Sequence, residues 1–118
     1  KNCGVKNFDK FHNAGYRGLY NGETADDIAK RKKLRYREDI LDNMGSEELI
    51  ANLFRISQTE AKLKKDNISS ERAANETHYN IGKNIREVIA KNGGTMPEGL
   101  PTPKRSLKDL ERNKKQLK

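Results

Sequence analysis

At 118 residues the chain has room for one small domain. It is 32% apolar, 36% charged and lacks tryptophan, so its core must be thin. No run approaches the roughly 18 apolar residues of a membrane span, so no spanning segment and no membrane partner are expected. Lysine and arginine total 25 against 17 acidic residues, a formal charge of +8. That balance favours acidic partners, nucleic acid first. The single cysteine, Cys3, cannot close an internal disulfide, which fits a reducing, cytoplasmic setting.

The first predicted helix covers residues 7–14, with Phe8 and Phe11 three apart and Gly15 as its stop. Gly15, Gly18 and Gly22 then read as a turn-rich connector that holds Tyr16, Leu19 and Tyr20 as anchors. The spacing is not that of a phosphate-cradling loop, because the terminal Lys-Ser/Thr pair is missing. Thr24 and Asp27 form a capping box that starts a second helix. This helix is expected to end in residues 30–37, where six of eight side chains are basic. Basic groups suit the negative end of a helix dipole, but six exceed that need. A surface that meets phosphates is the functional reading, with Lys30, Arg31, Lys32, Lys33, Arg35 and Arg37 as its contacts. Tyr36 is interleaved among them and suits stacking on an unpaired base.

Residues 37–44 are read as a short helix, followed by Gly45 and Ser46 as the N-cap of a long one. Glu47 and Glu48 place negative charge in its first turn. Leu49, Leu53 and Ile56, together with Ile50, Phe54 and Ala61, recur at helical spacing and predict a broad buried stripe. Asn52, Arg55 and Gln58 fall off that stripe and are the residues for specific hydrogen bonds to a partner. The outline is that of a helix-turn-helix, yet Glu47 and Glu48 would repel phosphates where a recognition helix must enter the groove. The helix continues to about residue 66. Ser70 caps a further helix that runs to Lys91, with Ala74, Thr77, Ile81, Ile85, Val88 and Ile89 as its apolar stripe. Asn92 and Gly93 end it. The two long helices should pack as an antiparallel hairpin, with Gly82 where they approach closely. His78 beside this stripe reads as a buried, hydrogen-bonded histidine, since no second ligand stands at helical spacing.

Residues 93–103, GGTMPEGLPTP, cannot form regular helix and read as a strap along the helices. Ser106 caps a last helix, lined by Leu107, Leu110 and Leu117 and strongly basic at its end. The expected fold is therefore all-α. Short N-terminal helices pack on a long antiparallel hairpin within a helical domain of residues 1–92. An extended Pro/Gly-rich segment (93–105) and a basic C-terminal helix (106–118) follow. The small apolar content makes a homodimer a reasonable way to cover the remaining stripes.

Three strings carry a resemblance: GYRGLYNG at 15–22, ILDNMGSEELIANLFRISQTE at 40–60 and GGTMPEGLPTP at 93–103. In order and spacing, from about residue 5 to 110, the chain resembles the C-terminal half of the DNA-damage-inducible protein D family. Full-length members of that family carry an N-terminal domain similar to phage antirepressor domains. Residue 1 is Lys, so the chain is expected to be a fragment. The resemblance implies a non-enzymatic regulator of the bacterial SOS response. It would act through DNA, single strands favoured, or through the RecA-type recombinase filament formed on single-stranded DNA. The alternative is an oligomerisation and scaffold module of an antirepressor-like regulator that does not touch DNA. No constellation of nucleophile, base and orienting group is present, and the acids read as caps and surface pairs. No enzyme activity, catalytic residue, metal or cofactor is expected.

Overall fold

The computed structural model describes residues 4–35 and 39–103. They form four α-helices and no strand, which is the all-α class expected. The expected C-terminal helix, together with Cys3, Tyr36 and Arg37, lies outside the described residues.

The first helix, α1, is Phe8–Leu19. Asn7 caps it by accepting from the Lys10 N–H at 3.1 Å. It does not stop at Gly15 but runs through Gly15 and Gly18. Each glycine inside a helix costs roughly 1 kcal/mol against alanine. Close packing against the last helix, α4 (Glu71–Lys91), offsets that cost. A Cβ on Gly15 would lie 2.3 Å from His78 Nε2, and one on Gly18 would lie 2.1 Å from the Tyr79 carbonyl oxygen. From the other side, a Cβ on Gly82 would lie 2.7 Å from the Gly15 carbonyl oxygen. The glycines are thus a seam where two helix backbones touch. The seam joins α4 to α1, which is its most extensive partner, and not to the neighbour expected from the hairpin.

After α1 the chain reverses through left-handed Asn21 and Gly22. The Thr24–Asp27 capping box then forms as predicted and opens α2, Ala25–Arg31. This helix is shorter than expected, because Lys33 adopts a φ of +58° and turns the chain away. Only Lys30 and Arg31 therefore meet the end of its dipole. The helix expected at 37–44 reduces, in its described part, to one 3-10 turn at Leu41–Asn43. The long helix α3 is Ser46–Lys65. Its N-cap is Gly45, which has no side chain to cap with, and Ser46 is already the first helical residue. A five-residue link leads to α4, where Ser70 caps by accepting from the Ala73 N–H at 3.1 Å. Gly93, with φ +72°, ends it. α3 and α4 pack as the expected antiparallel pair.

Within residues 93–103, residues 96–98, 100, 102 and 103 are at least partly buried. Pro97 is buried, and Glu98 forms a two-pronged ion pair with Arg86 at 2.7 Å on each prong. The apolar core is small. One cluster joins Tyr16, Leu19, Tyr20, Ile28 and Met44, and another joins Val5, Leu63 and Ala74. Leu49 and Ile85 only border the first of them.

Candidate functional site

The inner side of α3 is its polar side. Glu48, Asn52, Arg55, Thr59 and Leu63 are its buried residues, and their spacing of four, three, four and four is helical. The expected stripe is turned the other way. Ile50 is 66% exposed, Phe54 53% and Leu53 49%. Ala61 is exposed as well, while Leu49 and Ile56 are half-buried at the edge. Asn52 and Arg55, expected to face a partner, are instead at most 1% exposed.

Burial of this side is tolerated because α1, α2 and α4 supply a partner for nearly every polar atom. Lys32 donates from Nζ to Glu48 Oε1 at 2.7 Å and to Thr102 Oγ1 at 3.1 Å. The Tyr20 hydroxyl donates to the other carboxylate oxygen of Glu48. Asn52 Nδ2 donates to the Tyr20 oxygen at 2.9 Å and to the Glu48 carbonyl at 2.9 Å. Its Oδ1 accepts from Arg55 Nη2 at 3.0 Å. Arg55 Nη1 donates to His78 Nε2, and its guanidinium lies 4.6 Å from the centre of the Tyr16 ring. His78 Nδ1 in turn donates to the Phe11 carbonyl at 2.9 Å. These roles fix the neutral, Nδ1-protonated imidazole. Arg55 Nε has no hydrogen-bond partner among the described residues.

The electrostatics follow from the burial. His78 is pushed down to about 3 by desolvation and then by the Arg55 charge. Desolvation also raises the Tyr20 phenol, helped by its bond to the Glu48 carboxylate. Arg55 is lowered by desolvation. Each member has a defined tautomer and partner, and none of the charged atoms of Glu48 or Lys32 meets solvent. Such an arrangement holds four helical segments in register. Two of its members, Tyr16 and Arg55, also border a hollow of about 530 Å³ beside Asp9, His12 and Asp39.

The basic run is divided by the fold. Lys30 and Lys33 are exposed, as is Arg35. Arg31 is half-buried and clasps Glu23, with Nε and Nη2 each 3.0 Å from a carboxylate oxygen. Lys32 is inside, paired with Glu48, and therefore does not face a partner. The reason is local: the turn at Lys33 ends the helix and points Lys32 back towards Glu48. Gln58 is exposed and stands beside Phe54 on the outer side of α3. Among the described residues no group of three or more histidine, cysteine or acidic side chains is arranged to hold a metal. No described helix is long and apolar enough to cross a membrane.

Among the outward features is an apolar groove between α3 and α4. Two adjoining hollows of about 410 and 360 Å³ share Phe54 and Ile85. The first continues past Ile81 and Val88 to Lys65, and the second past Ile50 and Ile89 to Glu47. Sequence patterning missed this face because it assigned these side chains to the interior.

These features define a helical module with an interior polar clasp and an apolar outer groove. The chain belongs to the family of the DinD C-terminal domain, which it matches over residues 1–110. It is 52% identical over 108 residues to DNA damage-inducible protein D of Escherichia coli K12. The match covers 92% of this chain and 39% of that protein. No solved structure matches the chain.

Proposed function

We propose that this chain is a non-catalytic regulatory module of a protein made in response to DNA damage. It acts by contact, on DNA or on the recombinase filament that assembles on single-stranded DNA. The damage context rests on family membership and on the name of the Escherichia coli relative. One observation carries the contact reading. Asn52, Arg55 and His78 are bonded to one another inside, while cations such as Lys30, Lys33, Lys64 and Lys83 stay on the surface. A surface of that kind engages a polyanion through phosphates and does not read its sequence, since Asn52 and Arg55 cannot reach a base edge.

The test is binding of the chain to labelled single-stranded DNA, duplex DNA and recombinase-coated single-stranded DNA across a salt series. The expected result is affinity that falls steeply with salt and is indifferent to sequence, with Lys30→Glu and Lys33→Glu weakening it. Absence of binding to all three at low salt contradicts the proposal. It would favour the scaffold alternative, which the outward groove between α3 and α4 supports.

A further inference from the structure

The outer side of α3 is graded in size along its length. Ile50, Leu53 and Phe54 occupy its N-terminal half, and Ser57 and Ala61 occupy the same side of its C-terminal half. Its two ends also carry opposite charge, with the exposed Glu60 between them. Glu47 stands in the first turn, and Lys64 and Lys65 stand in the last. All of these residues are exposed. Both patterns are centred between positions 55 and 56, the midpoint of α3.

A surface that is complementary to itself after reversal is the signature of an isologous contact, in which the same patch serves both partners. A two-fold axis through that midpoint brings Ile50 against Ala61 of a second chain and Phe54 against Ser57. It also brings Glu47 against Lys64 and Lys65. Large side chains then fall on small ones, and opposite charges meet at both ends. A parallel arrangement would stack Phe54 on Phe54 and Glu47 on Glu47. The antiparallel order also seals the groove, because Ile85 and Val88 of α4 flank the α3 residues that would be covered. Lys62 is not needed at the ends, as it already pairs with Asp66 one turn on.

We propose that the occupant of the groove is a second copy of this chain, docked antiparallel through α3 to make a four-helix contact. This inference stands apart from the regulatory reading, since a chain that binds no DNA can still pair with itself. Burial of Phe54, Leu53 and Ile50 supplies the association free energy, and the end charges set the direction.

The test is sedimentation equilibrium of the 118-residue chain over a wide concentration range, with three sets of variants. The wild-type chain should be a dimer that dissociates on dilution. Phe54→Glu should weaken the dimer by at least about tenfold, since a carboxylate would be buried without a partner. Glu47→Lys alone, or Lys64→Glu with Lys65→Glu, should weaken it by about threefold to tenfold at low salt. All three charge changes together should restore it, because the end charges would again be opposite. Far-UV circular dichroism checks the fold of each variant. The charge set leaves the apolar face intact, so it decides the matter even if Phe54→Glu unfolds. A monomeric mass at every concentration overturns the proposal. That result would follow if residues 104–118 of the same chain, or a different protein, covered the groove. A dimer indifferent to Phe54→Glu overturns it as well. Failure of the combined charge swap to recover what its parts lose overturns the antiparallel order.

Discussion

The two sides of α3 obey opposite rules. Towards α1 and α4 the helix presents a carboxylate, an amide, a guanidinium and a hydroxyl, all almost fully enclosed. Towards solvent it presents Ile50, Leu53 and Phe54, each about half or more exposed. The difference teaches that an apolar stripe identifies a surface that must be covered, but not what covers it. Here the interior of the chain is claimed by a stripe whose polar groups match one another. The groups at the junction come from all four helical segments: Tyr16 and Tyr20 from the end of α1, Lys32 from the end of α2, and His78 from α4. The apolar stripe is left at the surface. The energetics of the two sides differ accordingly. On the inner side each group depends on its neighbours, so a single deletion strands a charge. On the outer side each side chain stands nearly alone.

The largest effect that would break this comparison lies at the buried ion pair. Glu48→Leu leaves the Lys32 ammonium enclosed with Thr102 as its remaining partner. The chain should lose about 3–5 kcal/mol in urea unfolding. Adding Lys32→Met should recover most of that loss, because two apolar residues can replace a buried pair. A Glu48→Leu variant as stable as the wild type would mean that the polar side is not enclosed.

The next effect is in the pH dependence. His78 has a pKa of about 3 in the folded chain against an ordinary value of 6.5. Between these values the unfolded chain binds more protons than the folded one. The stabilisation is therefore complete above pH 6.5 and is lost as pH falls towards 3. Within that window the wild type should lose about 1 kcal/mol per pH unit that a His78→Gln variant does not lose. Thermal or urea unfolding of both proteins across the window measures the difference.

Smaller still is the glycine seam. Gly18→Ala forces the α1 backbone away from the Tyr79 carbonyl and should cost about 1–3 kcal/mol in the same unfolding assay. The smallest change belongs to the outer face. Leu53→Ser should alter the stability of the dilute, monomeric chain by no more than about 0.5 kcal/mol. A loss as large as that of Gly18→Ala would place Leu53 in the core and would remove the distinction between the two sides.

Much of the architecture was legible in the amino-acid order. The helical class, the Thr24 capping box, the Ser70 cap, the left-handed Gly93 and the extents of α3 and α4 follow from local chemistry. Local chemistry is what sequence patterns report. The failures share a cause, which is that they depend on partners distant in the chain. Gly15 and Gly18 read as turn residues because nothing nearby shows that Gly82 will meet them. Lys32 read as one cation among six because its carboxylate stands sixteen residues on. Asn52 and Arg55 read as surface groups because an apolar stripe on the same helix was a simpler candidate for burial. A signal was present all the same. Glu48, Asn52, Arg55 and Thr59 are themselves spaced for one helix face, and α1 and α4 carry Tyr20 and His78 with hydrogen-bonding atoms to match them.

The central claim, that the polar side of α3 is the interior of this fold, is tested most directly at His78. The measurement is an NMR titration of its imidazole. The account predicts a neutral ring protonated at Nδ1 that stays neutral well below pH 6.5, down to the point where the chain unfolds. A ring that gains its proton near pH 6.5 while the chain remains folded would contradict it, for it would place His78, and Arg55 with it, in water.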